Sequence, residues 1–168
     1  MLFGFLLFLV FFVVVSPISI LPEFASLTEG ATSAYKKRMA IKATVISALI
    51  VVLFAVAGTA LLDAMGISIQ SFRIFGGLLL FLVALEMVFA RESGTRTSAD
   101  EQVESRRRAD ISVFPLAFPL LAGPGAIVAT ILFFNQTHSF GEWMSVSSGI
   151  ALALSVSFIA MRFSGIIQ

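Results

Sequence analysis

The chain has 168 residues, of which 58% are hydrophobic and only 12% charged, and its mean hydropathy is +1.02. A water-soluble domain is roughly 45–50% apolar and about 25% charged, so a soluble globular fold is excluded and an all-α, polytopic transmembrane helix bundle is expected. The net charge of +1 comes without the aromatic interleaving of a nucleic-acid platform, and with no Cys and a single His, His138, neither a disulfide framework nor a Cys/His metal site can be built.

In chain order, residues 2–20 carry no charge and are long enough to enter the bilayer as a helix. No basic segment precedes them and no small-residue cleavage site follows, which argues against a removable signal peptide. The sequence P-I-S-I-L-P at 17–22 removes two backbone donors, so it predicts a break there, with residues 23–28 as a short second helical piece. Residues 29–42, which include Lys36, Lys37, Arg38 and Lys42, read as a polar loop. The second span is expected over 43–62.

A tight turn through Gly66 leads to a third span over 72–90, which holds Arg73, the pair Gly76 and Gly77, and Glu86. Small residues there permit close helix packing. Residues 91–110 form the one long hydrophilic stretch, with Arg106, Arg107 and Arg108 among five acids. They read as a linker between a first three-helix repeat at 1–90 and a second repeat at 111–168. The fourth span, 111–134, contains Pro115, Pro119, Gly123, Pro124 and Gly125, too many breakers for one regular helix. A fifth span begins near Trp143, an interface anchor, and runs to about residue 161.

Basic residues follow the first and third spans and are missing from the loops after the second and fourth. The expected topology therefore has the N-terminus outside and loops one and three cytoplasmic. The Arg106–Arg108 run suits the anionic inner leaflet.

One internal similarity stands out. P-I-S-I-L-P at 17–22 and P-L-L-A-G-P at 119–124 share two prolines five residues apart, and the spans that carry them run in opposite directions. Secondary transporters place substrate sites where two inverted repeats meet, at broken helices whose free backbone groups and dipoles bind polar solutes. The alternative is that these prolines and glycines only kink their helices.

The stretches G-I-S-I-Q-S-F-R-I-F-G-G-L-L-L-F-L at 66–82, P-L-A-F-P-L-L-A-G-P-G-A-I at 115–127 and S-P-I-S-I-L-P-E-F-A-S-L-T at 16–28 resemble the MarC family of bacterial inner-membrane proteins. The resemblance implies six spans arranged as two inverted three-helix repeats with broken helices 1 and 4, of which five are present here, the second repeat lacking its last helix. It also implies transport of small neutral amino acids, as reported for some members. Two departures bear on substrate preference: Ser16 stands where the family usually has Asn, and Ser19 where it usually has Gly.

Ser16, Ser19, Gly123 and Gly125 are the candidate substrate-binding positions, because hydroxyls and unpaired backbone groups can replace water around an ammonium or a carboxylate. Their alternative role is compensation of helix bonds freed by proline. Pro17, Pro22, Pro119 and Pro124 would set the geometry of the breaks. Arg73 and Glu86 lie thirteen residues apart on one helix, ~20 Å at 1.5 Å per residue, so they cannot pair with each other. Within the family resemblance, F-R-I-x-G-G makes Arg73 a further substrate-binding candidate, and Glu86 is the candidate for proton coupling, with snorkelling as the alternative for both.

The expected function is a multi-pass carrier of the bacterial inner membrane, surrounded by lipid bilayer, moving a small solute such as a neutral amino acid. The chain has no G-x-x-x-x-G-K-[ST] loop, so coupling to H+ or Na+ is expected in place of ATP hydrolysis. No cofactor is called for. An enzyme is disfavoured because no Ser–His or aspartyl pair falls within the spans. A non-transporting scaffold or partner subunit is the other reading, and the sequence leaves homo-oligomerisation open.

Overall fold

The computed structural model describes residues 2–89 and 110–164. Six α-helices are found among them: α1 (Leu2–Val15), α2 (Pro17–Leu27), α3 (Ser33–Ala64), α4 (Ile69–Phe89), α5 (Pro124–Asn135) and α6 (Phe140–Phe163). An irregular segment, Ser112–Leu121, precedes α5. The described residues contain no strand. Four stretches are long and apolar enough to cross a membrane, and a fifth if the Ser112–Leu121 segment and α5, bent by 56°, count as one span.

The helix boundaries follow from local chemistry. Gly30 and Gly66 occupy the left-handed region at φ 70° and 71°, where the lack of a Cβ removes the steric cost of a tight turn. Thr32 caps α3 by accepting a hydrogen bond from the Tyr35 amide at 3.3 Å, and Ser139 caps α6 by accepting from the Glu142 amide at 3.3 Å. The Ser112–Leu121 segment cannot be regular because Phe114 and Phe118 each precede a proline, whose ring excludes them from the helical region; both are extended. The backbone closes instead in wide turns, Leu116 N–H donating to Ile111 O at 3.3 Å and Ala122 N–H to Ala117 O at 2.8 Å.

The packing centre is built by α6, which lies along both α1 and α2, while α3 covers the irregular segment and α5. Phe11, Phe24, Leu116, Leu121, Val146 and Met161 are almost completely buried between them. Gly149 of α6 makes the crossing with α1 close: a Cβ there would meet the Phe8 nitrogen at 3.2 Å. Helix α4 packs chiefly against α5. Its apolar face, with Ile74, Phe75, Leu78, Phe81 and Leu82, is exposed, as expected of a helix solvated by lipid.

Several expectations are corrected. The first break falls at Ser16 and not within 17–22, since Pro17 occupies the first turn of α2, where its missing N–H costs nothing, and α2 then runs on through Pro22 to Leu27. Pro22 therefore does not make a break. Residues 33–42, expected in a loop, are the first turns of α3, whose 32 residues extend ~48 Å and outrun a ~30 Å hydrocarbon core. The expected linker at 91–110 lies outside the described residues except for Asp110. That residue is anchored: Lys42 Nζ on α3 donates to its Oδ2 at 2.5 Å, and its Oδ1 accepts from the Ser112 amide at 3.0 Å.

Candidate functional site

The two backbone interruptions come together. Ser16, between α1 and α2, lies ten residues after Leu6 and eleven before Leu27, the ends of the first membrane-length stretch. Gly123, between the irregular segment and α5, lies eleven residues after Ser112 and twelve before Asn135. Each break is thus near the middle of its apolar stretch, and between them is a cleft of about 50 Å³, room for roughly three or four waters or a small polar group.

Both walls of this cleft carry the first turn of a half-helix. On the α2 side, Ser16 has φ 49°, a left-handed conformation for a residue with a side chain, and its hydroxyl donates to Ser19 Oγ at 2.8 Å. Ser19 keeps its own proton to offer. The amides of Ser19 and Ile20 both turn back to the Ser16 carbonyl, at 3.0 and 3.3 Å. On the α5 side, Gly123 is the N-cap and Pro124 the first residue, so the amides of Gly125 and Ala126 have no carbonyl within the helix to receive them. Such N-terminal amides and the partial positive charge of the helix end favour a carboxylate or another anion. The last turn of α1, through Val14 and Val15, brings the opposite polarity to the same cleft.

The glycines are close-approach positions. A Cβ on Gly123 would stand 2.4 Å from the Pro119 carbonyl oxygen, and one on Gly125 would meet Val14 at 3.2 Å and Leu80 at 3.4 Å. Gly76 of α4 is similarly tight against Val128 of α5, whereas Gly77 faces open space.

Of the positions expected from sequence, Ser16, Ser19, Gly123, Gly125, Pro119 and Pro124 all line this cleft. Pro17 sits beside it as the first residue of α2. Pro22, Arg73 and Glu86 do not line it. Arg73 is on an exposed part of α4, and Glu86 is half-buried in the same helix. Sequence reasoning missed Glu23, which lines the cleft from the second turn of α2. The signal was present, because Ser16, Ser19, Ile20 and Glu23 follow the i, i+3, i+4, i+7 spacing of one helix face. A second cavity, about 530 Å³ between α3, α4 and α5, is lined mainly by Phe54, Phe72, Phe75 and aliphatic side chains and offers little polar chemistry. No group of three or more His, Asp or Glu side chains that would hold a metal ion occurs among the described residues.

Membrane-length helices, a bent apolar pair ahead of α6 and a polar cleft between two helix breaks define an integral, multi-pass membrane protein. The whole chain, residues 1–168, matches the family described as MarC family integral membrane protein, and it belongs to that family. It is 37% identical over 172 residues to the UPF0056 membrane protein YvbG of Bacillus subtilis, an alignment covering 100% of this chain and 81% of the relative. It is 36% identical over 145 residues to the UPF0056 membrane protein YhcE of Escherichia coli (86% and 67% covered), and 34% identical over 164 residues to a UPF0056 membrane protein of Archaeoglobus fulgidus (96% and 76% covered). No solved structure matches the chain.

Proposed function

We propose that the protein is a secondary carrier that moves a small polar solute, a neutral amino acid above all, by alternating access at the cleft between the two breaks. The observation that carries this reading is the meeting of Ser16 and Gly123, each near the middle of its own apolar stretch, with the first turns of α2 and α5 both lining one cleft. Backbone without helical bonds at membrane depth is tolerated where it is buried or lines a cavity, and transporters use such half-helix ends to hold charged solute groups.

The size and polarity of the cleft support a small zwitterion. Amides of Gly125 and Ala126 suit a carboxylate; hydroxyls of Ser16 and Ser19 and the carbonyl end of α1 suit the remaining polar groups. In this reading the spans belong to two inverted repeats in a bacterial inner membrane, the N-terminus is outside, and the basic first turns of α3 face the cytoplasm. The driving force is a gradient of H+ or Na+, with Glu86 the candidate proton carrier.

The test is counterflow in liposomes. Purified protein is preloaded with unlabelled alanine, serine or glycine, and entry of the labelled amino acid is followed. Uptake that depends on internal substrate, and that falls at least tenfold in Pro124→Ala, is the expected result. No counterflow of any of the three by demonstrably folded protein would overturn the assignment and favour a non-transporting partner subunit.

A further inference from the structure

We infer that the apolar groove between α1 and α4 receives the side chain of the transported solute, so that the cleft selects amino acids with a long aliphatic chain. The inference rests on the carrier reading and goes beyond it by naming the solute's side chain and the residues that choose it. The groove has a volume of about 350 Å³ and is walled by aliphatic residues, among them Leu9 and Val13 of α1 and Leu80 and Ala84 of α4. Val14 and Val83 line both this groove and the polar cleft. The two spaces therefore share a wall.

The small size of the cleft gives that wall its role. At about 50 Å³ it holds the polar head of an amino acid and little more, so a longer side chain must leave it. Toward Val15, Ile20 and Ala126 the way is closed, because all three are buried in the core. At Val14 and Val83, both half-buried, the neighbouring space is the groove. The groove also begins beside the proposed carboxylate site: a Cβ on Gly125 would meet Val14 at 3.2 Å and Leu80 at 3.4 Å. A zwitterion held by the first turn of α5 thus lies against residues of the groove itself.

The occupant follows from the direction of transfer. Bilayer acyl chains are as apolar as the groove, so one that enters from the lipid gains little. A side chain delivered from water gains the hydrophobic transfer, about three- to fourfold in affinity for each buried methylene. The groove therefore favours the solute's own chain over lipid.

The experiment is competition against counterflow of labelled alanine by the straight-chain series alanine, 2-aminobutyrate, norvaline and norleucine, with labelled norleucine also followed directly. In the wild-type chain apparent affinity should rise with each methylene, leaving norleucine at least about tenfold ahead of alanine. Ala84→Phe adds bulk at an exposed groove position that does not line the cleft, and Val83→Phe adds it at the shared wall. In both, with elution and thermal midpoint unchanged, the advantage of norleucine should shrink toward unity.

Affinity that stays flat or falls along the series in the wild type overturns the inference and leaves the carrier reading intact. A folded Ala84→Phe or Val83→Phe protein that keeps the full advantage overturns it too. Counterflow of neither alanine nor norleucine in the wild type overturns both.

Discussion

The carbonyl oxygen of Pro119 occupies the space in which Gly123 would need to carry a side chain, an added Cβ coming within 2.4 Å of it. The oxygen is backbone and a Cβ is fixed in place by its own backbone, so no side-chain rotation relieves the clash. Gly123→Ala should cost about 1–3 kcal/mol as an overpacked site, and it should displace the start of α5 from the cleft. We expect a lower thermal midpoint in detergent and at least about a tenfold loss of alanine counterflow, since small misplacement of binding groups has large effects on rate. A variant with wild-type midpoint and flux would show that this close approach does not set the site.

Ser16 carries its strain in the backbone. At φ 49° a side chain costs roughly 1–2 kcal/mol relative to glycine, and a β-branched one is less tolerable still. Ser16→Gly should therefore match or exceed wild-type stability despite losing the hydroxyl bond to Ser19, while Ser16→Val should lower it. Thermal unfolding of the three proteins side by side checks the order. A Ser16→Val midpoint equal to that of Ser16→Gly contradicts it.

Gly76 and Gly77 are adjacent but not equivalent. A Cβ on Gly76 would meet Val128 Cγ1 at 2.5 Å, whereas on Gly77 it would meet nothing within 4 Å. Gly76→Ala should destabilise by about 1–3 kcal/mol, Gly77→Ala should be nearly neutral, and Val128→Ala should restore part of the loss in a double variant. Equal effects of the two glycine changes would contradict the packing of α4 on α5.

The Lys42–Asp110 pair gives a pH signature. Its hydrogen bonds from Lys42, first, and from Ser112 hold the Asp110 carboxyl well below the usual carboxylate range. The folded-state pKa is depressed, so the stabilisation is present above the unfolded value, near about 4, and is lost as pH falls below it. With side chains 38% and 44% exposed, the pair is worth only about 0.5–1 kcal/mol and weakens with salt. Asp110→Asn should remove this contribution at neutral pH and flatten the acid side of the stability profile. An unchanged acid limb would contradict it.

The helical, membrane-spanning character of the chain was legible because apolar runs of ~20 residues admit few other structures. The prolines also marked both broken spans. What they did not reveal was which side of a proline breaks: Pro17 begins α2 without disturbing it, and the kink passes to Ser16, whose left-handed backbone has no local sequence signature as serine. The charge of Lys36, Lys37, Arg38 and Lys42 suggests a loop, yet lysine and arginine favour helices and α3 simply runs on beyond the length an apolar layer needs. The relation of Glu23 to Ser16 and Ser19 emerges only once residues 17–27 form one continuous helix. Arg73 is a charge within an apolar stretch, but which way a helix faces is decided by partners distant in sequence, and Arg73 faces away from the cleft lining.

Helix α6 touches both α1 and α2, so it acts as a splint across the break at Ser16. Bending the chain there would require peeling two helices off a buried seam containing Leu7, Phe11, Val146 and Ala153. On the opposite wall, Val83 of α4 borders the same cleft, yet α4 is held chiefly by α5 and only 6% of its apolar window is buried. The two walls are thus held unequally: one is packed along two helices, and α4 is the one with the least buried apolar surface.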